Sequence, residues 1–197
     1  MLSLVAASVV GMALERPPPA SWQSRSNAAE AAVPAFTHDL DDNGVSQAAG
    51  VRIAMAEGKG LGAFATRAHA MHSVLGDYEG ELLTQRQYDV LYGGDAVERS
   101  DAEHEWVESK LAHGQTLHGT YAFMVAPDLL VDAEDRRFSS WCRYINHDAS
   151  PNCAAKTLAK GIGGLPRVWI VATRDIAPNE EICFKYADGA IGHWDAQ

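Results

Sequence analysis

From about residue 50 onward the chain is a succession of short β-type runs, each cut off after a few residues by glycine, proline or polar turn formers. Val51-Arg52-Ile53-Ala54-Met55 alternates apolar and polar residues, Ala63-Phe64-Ala65 follows a glycine cluster, and Val74-Leu75-Gly76-Asp77-Tyr78 leads into Gly80. Similar runs return at Tyr121 to Val125, Leu129 to Val131, Val168 to Thr173 and Ile182 to Tyr186. Evenly spaced short strands without an internal repeat predict a mainly β single domain with short helices. The polar stretch between Thr84 and Leu117 is the one helical interruption, with Leu91, Trp106, Val107 and Leu111 as its candidate core contacts.

The chain has 197 residues, 47% of them hydrophobic, which suits one folded domain with a tail and excludes global disorder. Its 26 acids against 16 bases give a net charge of −10, the wrong sign for a general nucleic-acid binder and the right one for a basic peptide or protein tail. Cys142, Cys153 and Cys183 are odd in number and far apart, which argues against a disulfide framework or a self-contained structural zinc site and for a reducing compartment. Leu2 to Leu14 is an apolar run too short for a membrane span. It reads either as a signal-like targeting peptide lacking the usual basic flank or as an unstructured terminus. Residues 15 to 49 are rich in Ala, Ser, Pro and Asn and complete an N-terminal segment and flexible linker over 1–49.

Individually, the polar motifs are weak. Gly58-Lys59-Gly60-Leu61-Gly62 lacks the ending of a P-loop and the context of a dinucleotide fingerprint, and by itself is a turn. Asn146-His147 has no nucleophile or acid at a telling interval. Glu180-Glu181 cannot act as a carboxylate pair if both lie on a strand, because adjacent side chains point to opposite faces; one exposed and one anchoring a turn is the simpler reading.

Taken in order, the motifs acquire meaning. Lys59-Gly60-Leu61-Gly62-Ala63-Phe64-Ala65, then Tyr78-Glu79-Gly80-Glu81, then Arg143-Tyr144-Ile145-Asn146-His147 continuing to Ser150-Pro151-Asn152-Cys153, then Asn179-Glu180-Glu181-Ile182-Cys183-Phe184-Lys185-Tyr186 resemble the four signature blocks of SET-domain protein-lysine methyltransferases. The resemblance covers about 50 to 188 and implies a β-clip fold of small curved sheets with a C-terminal pseudoknot, an acidic insert at 84–117 and a short tail at 189–197. It also implies S-adenosyl-L-methionine as methyl donor and a lysine side chain as acceptor. A lysine amine with an ordinary pKa of ~10.4 costs ~4.6 kcal/mol to neutralise at pH 7, so an aromatic, water-stripping channel is part of the chemistry.

The residue roles are likewise those that the resemblance implies. Gly60, Leu61 and Gly62 let backbone approach the cofactor, Lys59 reaches its carboxylate, and Asn146 and His147 hold its amino group and adenine. Tyr186 is the catalytic tyrosine and Tyr78 lines the lysine channel. Tyr121 and Phe123 either line that channel too or are plain core, as is Tyr144. Phe184 stands where the family has either Tyr or Phe, and Phe leaves space for di- or trimethylation. Yet the stretch Pro166 to Ile176 is most similar to the short enzymes that monomethylate the fourth core histone's tail. Without a cysteine after Cys183, no zinc is expected at the C-terminus, and Trp194 is either a cofactor lid or a surface anchor. Between Asp77 and Glu108 ten acids face only Arg86 and Arg99, where a Lys-rich tail would dock.

These expectations converge on a nuclear protein-lysine N-methyltransferase acting on a histone tail or nucleosome, with no sequence-specific nucleic-acid binding and no membrane span. Two alternatives stay open at this point: a non-histone, organellar substrate, which the apolar N-terminus favours, and a catalytically silent SET-fold binding module.

Overall fold

The glycine cluster folds as a hairpin turn. Strands β2 (Val51–Ala56) and β3 (Gly60–Ala65) pair antiparallel from Val51↔Ala65 to Ala56↔Gly60. The turn passes through Gly58 at φ 71° and Gly60 at φ 81°, the left-handed region that glycine enters without a Cβ penalty. The computed structural model describes residues 36–158 and 164–186, all within the unit Ala31–Gln197. The apolar run 2–14, most of the expected linker, and the tail with Trp194 lie outside the described residues.

Around the hairpin forms a five-stranded sheet in the order β1-β2-β3-β11-β8, with β1 at Val45–Ser46, β8 at Asn146–His147 and β11 at Glu181–Phe184. β11 runs antiparallel to β3 through Ile182↔Ala63 and parallel to β8 through Cys183↔Asn146. The end of the domain is thus inserted between two segments remote from it in sequence. Asn152, buried at 2% exposure, secures the insertion. Its Nδ2 donates to the Glu181 carbonyl at 2.7 Å and its Oδ1 accepts from the Cys183 amide at 2.9 Å.

Two three-stranded sheets complete the fold. One has the order β4-β10-β9, from Val74–Asp77, Arg167–Ala172 and Cys153–Leu158; the other is β5-β7-β6, from Glu81–Thr84, Leu129–Asp132 and Ala122–Ala126. Val168, Ile170, Phe123, Val131 and Ile182 bring all three sheets into one buried cluster. The expected mainly β architecture of small sheets is therefore present, with β11 threaded along the 146–152 loop as the pseudoknot requires.

The insert contains two helices, α1 (Gln85–Tyr92) and α2 (Asp101–Ala112). Each begins with a capping box, Thr84 with Gln87 and Ser100 with Glu103, in which side chain and backbone satisfy each other reciprocally. Leu83, Val90, Leu91 and Val107 form a satellite core that Trp106 packs against. Leu111 does not join it: the last turn of α2 runs past this core and leaves Leu111 49% exposed.

Other expectations also shift. β5, β8 and β9 went unpredicted because their residues are too polar or too few to show a period. β11 stops at Phe184, with Tyr186 beyond it. The folded part also reaches back before residue 50. Phe36, Leu40 and Ala49 pack against the main core, and the Asp39 carboxylate accepts from the Trp141 amide at 2.9 Å. Among the described residues no helix is long and apolar enough to cross a membrane.

Asp132 ties the insert to the sheet. It is 2% exposed, accepting from the Tyr92 hydroxyl at 2.5 Å and from the Glu134 amide at 2.9 Å. Burial raises its pKa to about 6; its two hydrogen bonds pull the other way, and the charges of Glu134 and Glu81 add to the rise. A folded-state pKa above the unfolded value means that the native state binds the extra proton. The Asp132 contribution to the unfolding free energy should therefore fall as pH rises from ~4 to ~6, by ~2–3 kcal/mol. Asp132→Asn, whose oxygen can still accept from the Glu134 amide while its NH2 donates to the Tyr92 oxygen, should flatten that slope in urea titrations recorded across this pH range.

Candidate functional site

A cleft of about 740 Å³ opens where the hairpin turn, the β8 segment and the end of β11 converge. Lys59, Gly60, Leu61, Asn146 and Tyr186 line it together with Arg143, Tyr121, Thr116, His118 and Glu134. Three of the four sequence blocks thus reach one cavity.

Each side chain is held by an identifiable contact. Asn146 Nδ2 donates to the Leu61 carbonyl at 3.2 Å and to Glu181 Oε1 at 2.9 Å. Lys59 Nζ lies 3.2 Å from Glu181 Oε2, 3.6 Å from Asp148 Oδ2 and 3.9 Å from Cys183 Sγ. Burial lowers the Lys59 pKa, but the Glu181 hydrogen bond and the surrounding negative charge outweigh it, so the net shift is upward and the ammonium stays charged. The Tyr186 hydroxyl donates to the Ile145 carbonyl at 2.8 Å, and its amide donates to His147 Nδ1 at 2.9 Å. Tyr186 is 44% exposed as a residue, but its hydroxyl end turns inward; burial, then Tyr121, push the phenol up to about 12. Tyr186 is accordingly a hydrogen-bonding group near neutral pH and not a base.

The remaining expected site residues take different positions. Tyr78 is buried, donates its hydroxyl to the Tyr121 carbonyl at 2.9 Å and packs on Phe123 at 5.7 Å between ring centroids. Burial, then Tyr186, raise its phenol well above 10. Phe123 is 2% exposed and belongs to the core; neither it nor Tyr78 lines this cleft, whereas Tyr121 does. Phe184 is buried, its ring 5.0 Å from that of Tyr186. His147 stands outside the cleft and supports Tyr186 from behind. Gly62 also lies behind the wall: a Cβ there would come within 2.8 Å of both Asn146 Nδ2 and Glu181 Oε1.

The acidic run from Asp77 to Glu108 is less available than its sequence suggests. Glu81 pairs with Lys110, Glu103 with Arg86, Asp77 with Arg167 and Glu79 with His38. Asp95, Glu98, Asp101, Glu105 and Glu108 remain as its exposed acids.

The cleft's chemistry is that of a binding site. Burial pushes the Cys153 thiol up to about 12 and Cys183 to about 11 and raises Cys142 well above the usual thiol range, so none is a thiolate nucleophile at neutral pH. Among the described residues no group of three His, Cys, Asp or Glu is placed to hold a metal. The residues present do fit a zwitterionic nucleoside cofactor. The volume suits a small organic ligand, the position a Gly60 Cβ would take is open space, and Lys59 and Arg143 supply cations for a carboxylate.

Residues 60–187 match the family model described as SET domain, nearly two-thirds of the chain. The chain belongs to the SET-domain family. Among its relatives is the N-lysine methyltransferase KMT5A-A of Danio rerio, 32% identical over 154 residues, covering 76% of this chain and 38% of that protein. An H3 lysine-4 specific histone-lysine N-methyltransferase of Eremothecium gossypii is 31% identical over 111 residues, covering 56% of this chain and 11% of that one. MEDEA, a histone-lysine N-methyltransferase of Arabidopsis thaliana, is 31% identical over 130 residues, 66% of this chain and 16% of that protein. The chain thus spans well under half the length of each.

Arg143 in the cleft lining and Glu181 just behind it are not among the site residues expected from sequence. Arg143 is buried, its guanidinium 4.0 Å from the Tyr121 ring centroid and donating to the Glu134 carbonyl at 3.2 Å. Glu181 joins Lys59 to Asn146. The alternation rule separated Glu181 from Glu180 but could not say what each would meet. Gly62→Ala should force Asn146 or Glu181 out of place and cost ~1–3 kcal/mol of stability in urea unfolding. Gly60→Ala should cost ~1–2 kcal/mol, through its positive φ alone.

Proposed function

We propose that this SET-domain chain is an S-adenosylmethionine-dependent protein-lysine N-methyltransferase acting on a basic protein tail, with a histone tail as its substrate and the nucleus as its setting. The observation that carries the reading is the convergence of Gly60, Asn146 and Tyr186, from three separated blocks, on one cleft. The names of the relatives, which are lysine and histone-lysine methyltransferases, support the same chemistry.

S-adenosylmethionine, when bound, supplies a methyl group on a sulfonium centre. Lys59 and Arg143 would receive its carboxylate, Asn146 its amino group, and the backbone at Gly60 and Leu61 would take its flat surface. His147 acts on the site through Tyr186, whose amide it holds. With its proton committed to the Ile145 carbonyl, the Tyr186 oxygen presents lone pairs rather than a hydrogen to the reacting groups. Those lone pairs orient a lysine amine and stabilise positive charge as it moves between the partners. Tyr78 fixes the channel from within by tethering the Tyr121 backbone. Neither phenol accepts the amine's proton, so the lysine loses it to water before or during entry, helped by the aromatic surround. The exposed acids of the insert, Asp95 to Glu108, give the docking side its negative field.

Labelled-methyl transfer to nucleosomes and to whole lysate tests the proposal. Label in nucleosomal histone supports it; label confined to other lysate proteins replaces the histone with another substrate; no transfer and no cofactor binding leave a silent SET-fold module. Tyr186→Phe should bind cofactor yet lower kcat by ~10²-fold or more. Phe184 is the second lever. Phe184, next to the Tyr186 ring, lacks the hydroxyl that a tyrosine would place there and would leave room for a methylated amine, so wild type should reach di- or trimethyl-lysine under excess cofactor. Phe184→Tyr should lower the product state by mass spectrometry, and a wild-type product that stops at monomethyl-lysine would refute this.

A further inference from the structure

Glu181 stands where three separate segments meet. Its Oε1 accepts from Asn146 Nδ2 at 2.9 Å, its Oε2 pairs with Lys59 Nζ at 3.2 Å, and the missing Cβ of Gly62 leaves the space that Oε1 occupies. Glu180 on the opposite face is engaged elsewhere. Its Oε2 accepts from the Ala177 amide at 2.9 Å, and its Oε1 takes Asn152 Nδ2 at 3.0 Å and Arg174 at 2.6 Å. Lys59 and Asn146 line the cleft, while Glu181 lies just behind them.

The consequence is sharpest for Asn146. A side-chain amide has two donor hydrogens and one acceptor oxygen, and a freely rotating amide can turn either face to a ligand. Here both hydrogens are directed at acceptors, the Leu61 carbonyl and the Glu181 carboxylate. Only Oδ1 is left to offer. A carboxylate at position 181 is the right partner for this purpose, because it accepts and never donates and so rejects the flipped amide. Its second oxygen holds the Lys59 ammonium at the cleft edge, where a ligand carboxylate can compete for it.

We propose that Glu181 is a positioning residue for the methyl donor: it fixes the Asn146 amide with Oδ1 available to the ligand's ammonium and stations Lys59 for the ligand's carboxylate. The inference rests on reading the cleft as the S-adenosylmethionine site. Glu181 touches neither ligand nor lysine in this scheme, so its effect falls on cofactor affinity and leaves the chemical step and peptide binding alone.

The test is calorimetric titration of the full chain with S-adenosylhomocysteine, together with kcat and both KM values from labelled-methyl transfer. Glu181→Ala should weaken binding about tenfold, through loss of charge-assisted hydrogen bonds. Glu181→Gln, which can still accept from Asn146 but loses the ion pair, should lose about threefold. Asp148→Asn, which removes only the longer, exposed contact to Lys59, should stay within about twofold. In the Glu181 variants the cofactor KM should rise while kcat and peptide KM hold. Equal affinity in Glu181→Ala and wild type, or a parallel loss in kcat and both KM values, would overturn the proposal. Should Glu181→Ala fail to fold, reduced affinity in Glu181→Gln at an unchanged melting temperature carries the test, and unchanged affinity there overturns it. Wild type that binds no S-adenosylhomocysteine refutes the methyltransferase reading itself, and this inference falls with it.

Discussion

The structure depends on one inserted strand. β11 is short, and its two neighbours, β3 and β8, come from distant parts of the chain, so nothing local holds it in register. Asn152 supplies that hold by using both ends of its amide on the β11 backbone. Buried side-chain amides must be satisfied, and here satisfaction and registration are the same contacts. Because Glu181, Phe184 and Tyr186 all follow from the position of β11, the cleft inherits its geometry from this clamp.

Around the clamp, charge and burial divide the labour. The tyrosines are kept protonated by burial, which makes them shape and hydrogen-bonding elements, while Lys59, Glu181 and Arg143 set the charge along the cleft wall. The insert consists of two capped helices over a satellite core, and within the acidic run Glu81 and Glu103 are already engaged by Lys110 and Arg86. What it presents to solvent is therefore the acids Asp95, Glu98, Asp101, Glu105 and Glu108 and not the whole acidic run.

Some of this was legible in the residues. The runs at 51–55, 122–125 and 168–172 alternate or concentrate apolar residues strongly enough to be read as strands, and the glycine cluster reads as a turn because its backbone needs positive φ. Asn146, Tyr186 and Gly60 were identifiable because four ordered blocks constrain far more than any one of them. The start of each helix was also written in Thr84-x-x-Gln87 and Ser100-x-x-Glu103, a signal that the hydrophobic pattern alone does not use. β8 and β9 were not legible, since a two-residue strand has no period and Cys153–Leu158 sets its polar Lys156 and Thr157 side by side, without alternation.

What the sequence by itself determined is the set of elements and the chemical inventory: short strands, a glycine turn, the tyrosines, and the Asn-His and Glu-Glu pairs. Local backbone preference and side-chain chemistry are properties of neighbouring residues, so they survive being read in one dimension. Which of those residues share a wall was decided only in three dimensions. Phe123 went into the core and Tyr121 to the cleft, His147 turned to hold Tyr186, and Glu181 met Lys59 and Asn146, because contacts between segments 35 to 122 residues apart are set by how sheets pack and by which strand is threaded between which.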